Sequence, residues 1–159
     1  MKDGLKGSLK RLERLSQIRQ TYVSVAEAGV KQAEGEVRRL KTADTEVAGN
    51  IQDTQAGIAH IRTASGQDLQ NGEKYILALQ HQRKLIRQSL ETATGNLEQR
   101  RGDWTEAMRE QKIIEKVQER RLHQWEREDD VANQKSQDDV SIGRYVRTRI
   151  KPGVGRTGQ

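Results

Sequence analysis

Stepping alternately four and three residues from Leu5 to Ser65 lands on an apolar residue at thirteen of eighteen positions. With 32% of the chain apolar, about six would fall there by chance. A repeat of this period, held without a stutter, keeps one stripe of an α-helix turned toward a partner helix, as in a coiled coil. A second frame, from Leu69 to Glu128, is apolar at eleven of eighteen positions and fades after Ile114. The single Pro stands at position 152, so nothing interrupts the helical hydrogen bonding of either stretch.

Between the frames lies Ala64-Ser65-Gly66-Gln67-Asp68-Leu69-Gln70-Asn71-Gly72. Gly66 suits the end of one helix, and Asp68 or Asn71 suits the cap of the next. Two heptad stretches joined by a short turn predict an all-α fold, a long antiparallel two-helix coiled-coil hairpin. Its helices span about 5–65 and 73–140, its turn about 66–72, and a flexible basic tail about 144–159 follows a hairpin ending near 143. At about 1.5 Å per residue each arm would measure roughly 90 Å. Folding about residue 68 sets residue i opposite about 136 − i. Leu12 then lies near Trp125, and Trp104 near Ala33, with both Trp residues in the seam. A two-chain coiled coil would share these heptads; the short turn favours the hairpin.

The seam has interruptions. Arg19, Asp44, Arg83, Arg100 and Arg121 fall on it, and Gly29, Gly35, Gly49, Gly57, Gly95 and Gly102 sit inside the helices at about 1 kcal/mol each relative to Ala. Polar seam residues of this kind set register at a cost in stability.

A third of the residues are charged and Phe is absent, so the chain lacks the material for a compact core around a water-excluding pocket. That composition points away from an enzyme, and no catalytic residue is expected. Gly153-Val154-Gly155-Arg156-Thr157-Gly158 matches a dinucleotide pattern in letters, but the strand and helix that make it work are missing around it. His60, His81 and His123 have no zinc-helix spacing, and Asp129-Asp130 and Asp138-Asp139 lack a calcium-loop pattern. No metal and no cofactor is expected. With no Cys, no run long enough to span a bilayer and no apolar leader after Met1, the expected location is the cytoplasm, without membrane insertion.

Charge concentrates at the ends. Residues 1–19 carry six basic and two acidic side chains, residues 141–159 five basic and none acidic, and residues 20–140 eighteen basic and twenty-one acidic. A hairpin brings the two basic ends together, and such an end attracts an acidic protein surface, nucleic acid or anionic lipid. The Gly and Pro of the last segment are wrong for a basic-zipper helix, so nucleic acid is not the expected partner.

Lys10-Arg11-Leu12-Glu13-Arg14-Leu15 near the start resembles the FliJ/YscO family, as does the stretch from Glu110-Gln111-Lys112-Ile113 to Glu119-Arg120-Arg121. Trp125-Glu126-Arg127-Glu128 and the close at Asp138-Asp139-Val140-Ser141-Ile142-Gly143 are similar to the way such chains finish, whereas the basic tail after Gly143 departs from the family's shorter endings. These are stalk proteins of flagellar and virulence type III export. The resemblance implies a non-enzymatic hairpin at the cytoplasmic face of a membrane export apparatus, its terminal end inside the hexameric export ATPase. Lys10, Arg11, Arg14, Arg120, Arg121 and Arg127 are the residues it places there. It further implies contact with the cytoplasmic domain of the export gate, for which Ile58, Ile61, Tyr75 and Leu79 near the turn are the candidates, and in some members with export chaperones. A cytoplasmic coiled-coil scaffold or chaperone outside secretion is the alternative.

Overall fold

The structure, a computed structural model, describes residues 2–61 and 65–150. Among these, all but Ile61, Ser65 and Ile150 lie in two helices, α1 (Lys2–His60) and α2 (Gly66–Arg149), which pack as an antiparallel hairpin. The heptad faces are those expected. Every seam position from Leu5 to Ile58 is buried or half-buried, and on α2 the same holds from Gly72 to Glu128 except at Arg100 and Arg121.

The helices form two compact units, Arg19–Gln111 and a unit made of both chain ends, up to residue 18 and from residue 112. In the Arg19–Gln111 unit, one apolar cluster joins Val30, Val37 and Leu40 to Ala93 and Leu97, with Ala33, Leu90 and Trp104 against it. A second joins Val47 and Ile51 to Leu79, flanked by Ile76 and Ile86. Two helices cannot cover each other completely, and no side chain among the described residues is fully enclosed.

The turn differs from the expectation. Helix α1 ends at His60 rather than near 65, and α2 begins at Gly66 rather than near 73. Ser65 is the cap: its hydroxyl accepts from the Asp68 backbone N–H at 3.3 Å, while the Asp68 carboxylate accepts from the Ser65 N–H at 3.2 Å and from its hydroxyl at 2.7 Å. This is a capping box, with Asp68 in the third helical position rather than at the cap and Gly66 opening α2 instead of closing α1. These hydrogen bonds to Ser65 hold the Asp68 carboxyl below its ordinary value. At the other side His60 closes α1, its Nδ1 2.7 Å from the Ala56 carbonyl; because a carbonyl only accepts, that nitrogen carries the proton.

The earlier turn moves the register. Within Arg19–Gln111, residues in contact across the hairpin have numbers adding to 127 (Asp44 and Arg83), 129 (Arg19 and Glu110; Gly29 and Arg100), 130 (Ile58 and Gly72) and 135 (Glu34 and Arg101). The centre near 129 is one heptad below the expected 136. A slip of seven residues keeps seam against seam, so the period alone does not distinguish the two.

The second difference is at the other end of α2. The helix continues past the expected stop near 140 to Arg149, so residues 144–149 are helical, not part of a tail. A lone Gly143 costs a helix about 1 kcal/mol and does not end it when no Pro follows within the next turn. Residues 151–159 of the expected tail lie outside the described residues.

Glycines separate into two kinds. A Cβ on Gly35, Gly49, Gly57 or Gly95 would meet nothing within 4 Å, whereas one on Gly72 would come within 2.7 Å of Ile58 Cδ1 and 3.2 Å of its Cγ1. Ala at each of the four open positions should raise stability by about 0.5–1 kcal/mol. Gly72→Ala should yield no such gain, because Ile58 must move; urea denaturation of the five single variants checks both expectations.

Candidate functional site

Charge is handled differently in the two units. In Arg19–Gln111 three of the four seam charges, Arg19, Asp44 and Arg83, are paired across the hairpin. Arg83 donates from Nε to Asp44 Oδ1 at 2.9 Å and from Nη2 to Oδ2 at 3.4 Å, and Arg87 Nε lies 3.4 Å from the same Oδ1. Arg19 pairs with Glu110, and Arg101 with Glu34 at 3.0 Å. Arg100, also on the seam, lies over Gly29, its Cδ 3.6 Å from where a Cβ on that glycine would stand. The hydrogen bond from Arg83, followed by the charges of Arg83 and Arg87, holds the Asp44 carboxyl below its ordinary value despite its partial burial. Of the seam charges read as interruptions in the sequence, Arg19, Asp44 and Arg83 are therefore held in cross-helix bonds.

In the terminal unit the six cations expected to meet a partner, Lys10, Arg11, Arg14, Arg120, Arg121 and Arg127, are all exposed. Among the described residues every Lys or Arg ion pair falls within 19–111, so none of the six is neutralised by a bridge. Lys6, Leu9, Lys10 and Glu13 of α1 face Glu115, Gln118, Glu119 and Leu122 of α2 across an open groove. Lys10 thus shares a stretch with Arg120 and Arg121, as expected, but Glu13, Glu115 and Glu119 lie between the cations and make the surface mixed. Arg120 and Arg127 line one face of α2 with Gln124, Val131 and Lys135. Arg121 is outside that face and donates to Gln124 Oε1 at 3.3 Å. Lys135 is an addition to the expected set; its spacing from Arg120 and Arg127 is the signal the sequence offers for it.

The four gate candidates separate. Ile61 and Tyr75 are exposed, Tyr75 at 53%, while Ile58 is half-buried against Gly72 and Leu79, at 6%, belongs to the core with Val47 and Ile51. Leu69 and Leu77, not singled out in the sequence because one lies on the seam and the other off it, are exposed in the same stretch. Trp104 packs on the same cluster as Ala33, and Trp125 is half-buried. His123 lies between Glu119 and Glu126, and no group of three His, Asp or Glu among the described residues could hold a metal. No helix among them is long and apolar enough to cross a membrane.

The model of the flagellar FliJ protein family matches residues 8–149. The chain belongs to the FliJ family. No curated protein and no solved structure matches it. The match runs through both helices and includes the helical residues 144–149 after Gly143, the first six residues of the stretch expected to depart from the family. This FliJ-family chain thus joins an antiparallel hairpin to exposed cations in its terminal unit.

The Asp44 bond has a pH signature. A carboxylate whose folded pKa is depressed stabilises the fold fully above its unfolded value, near 3.8, and loses that contribution as the pH falls through the lower folded value. Asp44→Asn should cost about 1–2 kcal/mol at neutral pH and flatten the loss of stability below the unfolded value. Urea melts of both proteins across acid pH measure it.

Proposed function

We propose that this chain is the non-catalytic stalk of a flagellar or related type III protein export apparatus. The observation that carries the proposal is the FliJ-family match over residues 8–149 of an antiparallel hairpin. The terminal unit, with Lys10, Arg11, Arg14, Arg120, Arg121 and Arg127, enters the pore of the hexameric export ATPase. The turn-proximal residues, Ile61 and Tyr75 foremost with Ile58 and Leu79 behind them, meet the cytoplasmic domain of the export gate. The chain works at the cytoplasmic face of the membrane, and export chaperones are further partners.

Physical chemistry supports this role. Exposed cations without ion-pair partners break no salt bridge when they approach an acidic wall, and attraction spread over several of them holds a shaft without one deep register. A shaft that couples the state of a ring to the state of a gate needs no reacting group of its own. Its contribution is a different free energy of contact with each state of the ring.

The test is binding of the purified chain to the purified hexameric ATPase. Arg120→Glu with Arg127→Glu should weaken it at least about tenfold, while Arg38→Glu with Lys41→Glu, exposed in the other unit, should change it little. Equal effects, or binding only between copies of the chain, would favour a scaffold instead. Tyr75→Ala should lower affinity for the gate's cytoplasmic domain without altering ATPase binding, measured by titration calorimetry with each partner.

A further inference from the structure

Among the described residues, none of α1 is placed opposite the last turns of α2. In the terminal unit Lys6 and Leu9 lie across from Leu122 and Glu119, which sets Lys2, the first described residue of α1, near Glu126. Helix α2 nevertheless continues to Arg149, and the Ile150 N–H still bonds to the Val146 carbonyl at 3.0 Å.

This unopposed end is amphipathic in a specific way. Ile142, Tyr145, Val146 and Ile150 are all exposed, from 44% at Val146 to 69% at Ile150. At 100° per residue they share an arc of about 140°. Arg144 and Arg147 lie on the opposite face, and Arg149 projects within the apolar arc with its guanidinium 5.1 Å from the Tyr145 ring centre. The Thr148 hydroxyl is turned back on the helix, 2.8 Å from the Tyr145 carbonyl and 3.1 Å from that of Arg144. From residue 141 to the last residue the sequence has five basic side chains and no acidic one.

We propose that residues 142–150 form a docking helix for an anionic lipid bilayer surface, lying in the headgroup plane with Ile142, Tyr145, Val146 and Ile150 directed into it. Cations stand on the polar face and also within the apolar arc. A surface anionic over its whole plane and apolar beneath satisfies both at once. A protein groove would have to supply acid on both rims of an apolar floor. Tyr and Arg are side chains suited to the boundary, since each has an apolar body and a polar end. Nine residues make a weak, reversible anchor whose strength depends on lipid charge. The proposal is independent of the stalk reading, because it requires neither ATPase nor gate.

The experiment is co-sedimentation of the full chain with vesicles at low salt, comparing phosphatidylcholine alone with phosphatidylcholine containing about one-third phosphatidylglycerol. Binding is expected only to the anionic vesicles and should fall as salt rises. The triple variant Ile142→Ser, Val146→Ser and Ile150→Ser should lose about tenfold or more in partitioning. Arg144→Gln, Arg147→Gln and Arg149→Gln together should lose roughly fivefold per charge. All substituted residues are exposed, and unchanged thermal melts followed by circular dichroism verify that the hairpin persists. Failure to sediment with anionic vesicles, equal binding to neutral ones, or full binding by the serine variant would overturn the proposal. Binding to polyglutamate without binding to vesicles would also overturn it and would assign the end to an acidic protein.

Discussion

The pairing of Asp44 with Arg83 and Arg87 is the interaction on which the arrangement of the hairpin depends. It forms a polar layer between two apolar clusters, Leu40 and Leu97 belonging to one and Val47 and Leu79 to the other. A heptad seam is nearly degenerate under a slip of seven residues, because Leu, Val and Ala can replace one another along it at modest cost. Charges on the seam are not interchangeable in this way. In the register one heptad away Asp44 would face Leu90 in place of Arg83 and Arg19 would face Val117 in place of Glu110, so half-buried charges would lose their partners. The seam polar groups thus contribute little favourable burial, yet they separate the native register from its nearest competitor.

The same logic explains how the two units differ. Where the helices carry their largest apolar clusters, Arg19, Arg83, Arg87 and Arg101 are tied into bridges across the hairpin. In the terminal unit α2 has few large seam residues after Ile114, and its arginines and lysines point to solvent without bridges among the described residues. A surface of that kind attracts acidic groups over long range.

Much of this is legible in the order of the residues. The four-three step from Leu5 locates the buried face of α1 residue by residue, because burial in a two-helix pair follows one angular stripe. Exposure of Lys10, Arg11, Arg14, Arg120, Arg121 and Arg127 follows from their off-seam or frame-end positions. Leu79 is equally legible as a seam residue, and its place in the core shows how a partner-facing side chain and a core one look alike in sequence when both are apolar. Ser65 does not stand out as a cap because Gly66 beside it is a stronger stop signal in isolation; only the reciprocal hydrogen bonds with Asp68 separate the two. Helix through Arg149 is hidden because Gly143 and the lack of seam residues remove the periodic signal, although backbone hydrogen bonding does not need a seam.

The class of fold, the two helices and the covered stripe of each follow from local periodicity and from the absence of Pro before position 152, and these are properties of the residue order alone. The turn, the register and the charge pairs emerge only in the folded hairpin. They depend on which residues meet across it, and a seven-residue repeat is blind to a shift by its own period. The charges on the seam remove that degeneracy, and they do so only when both helices are in place.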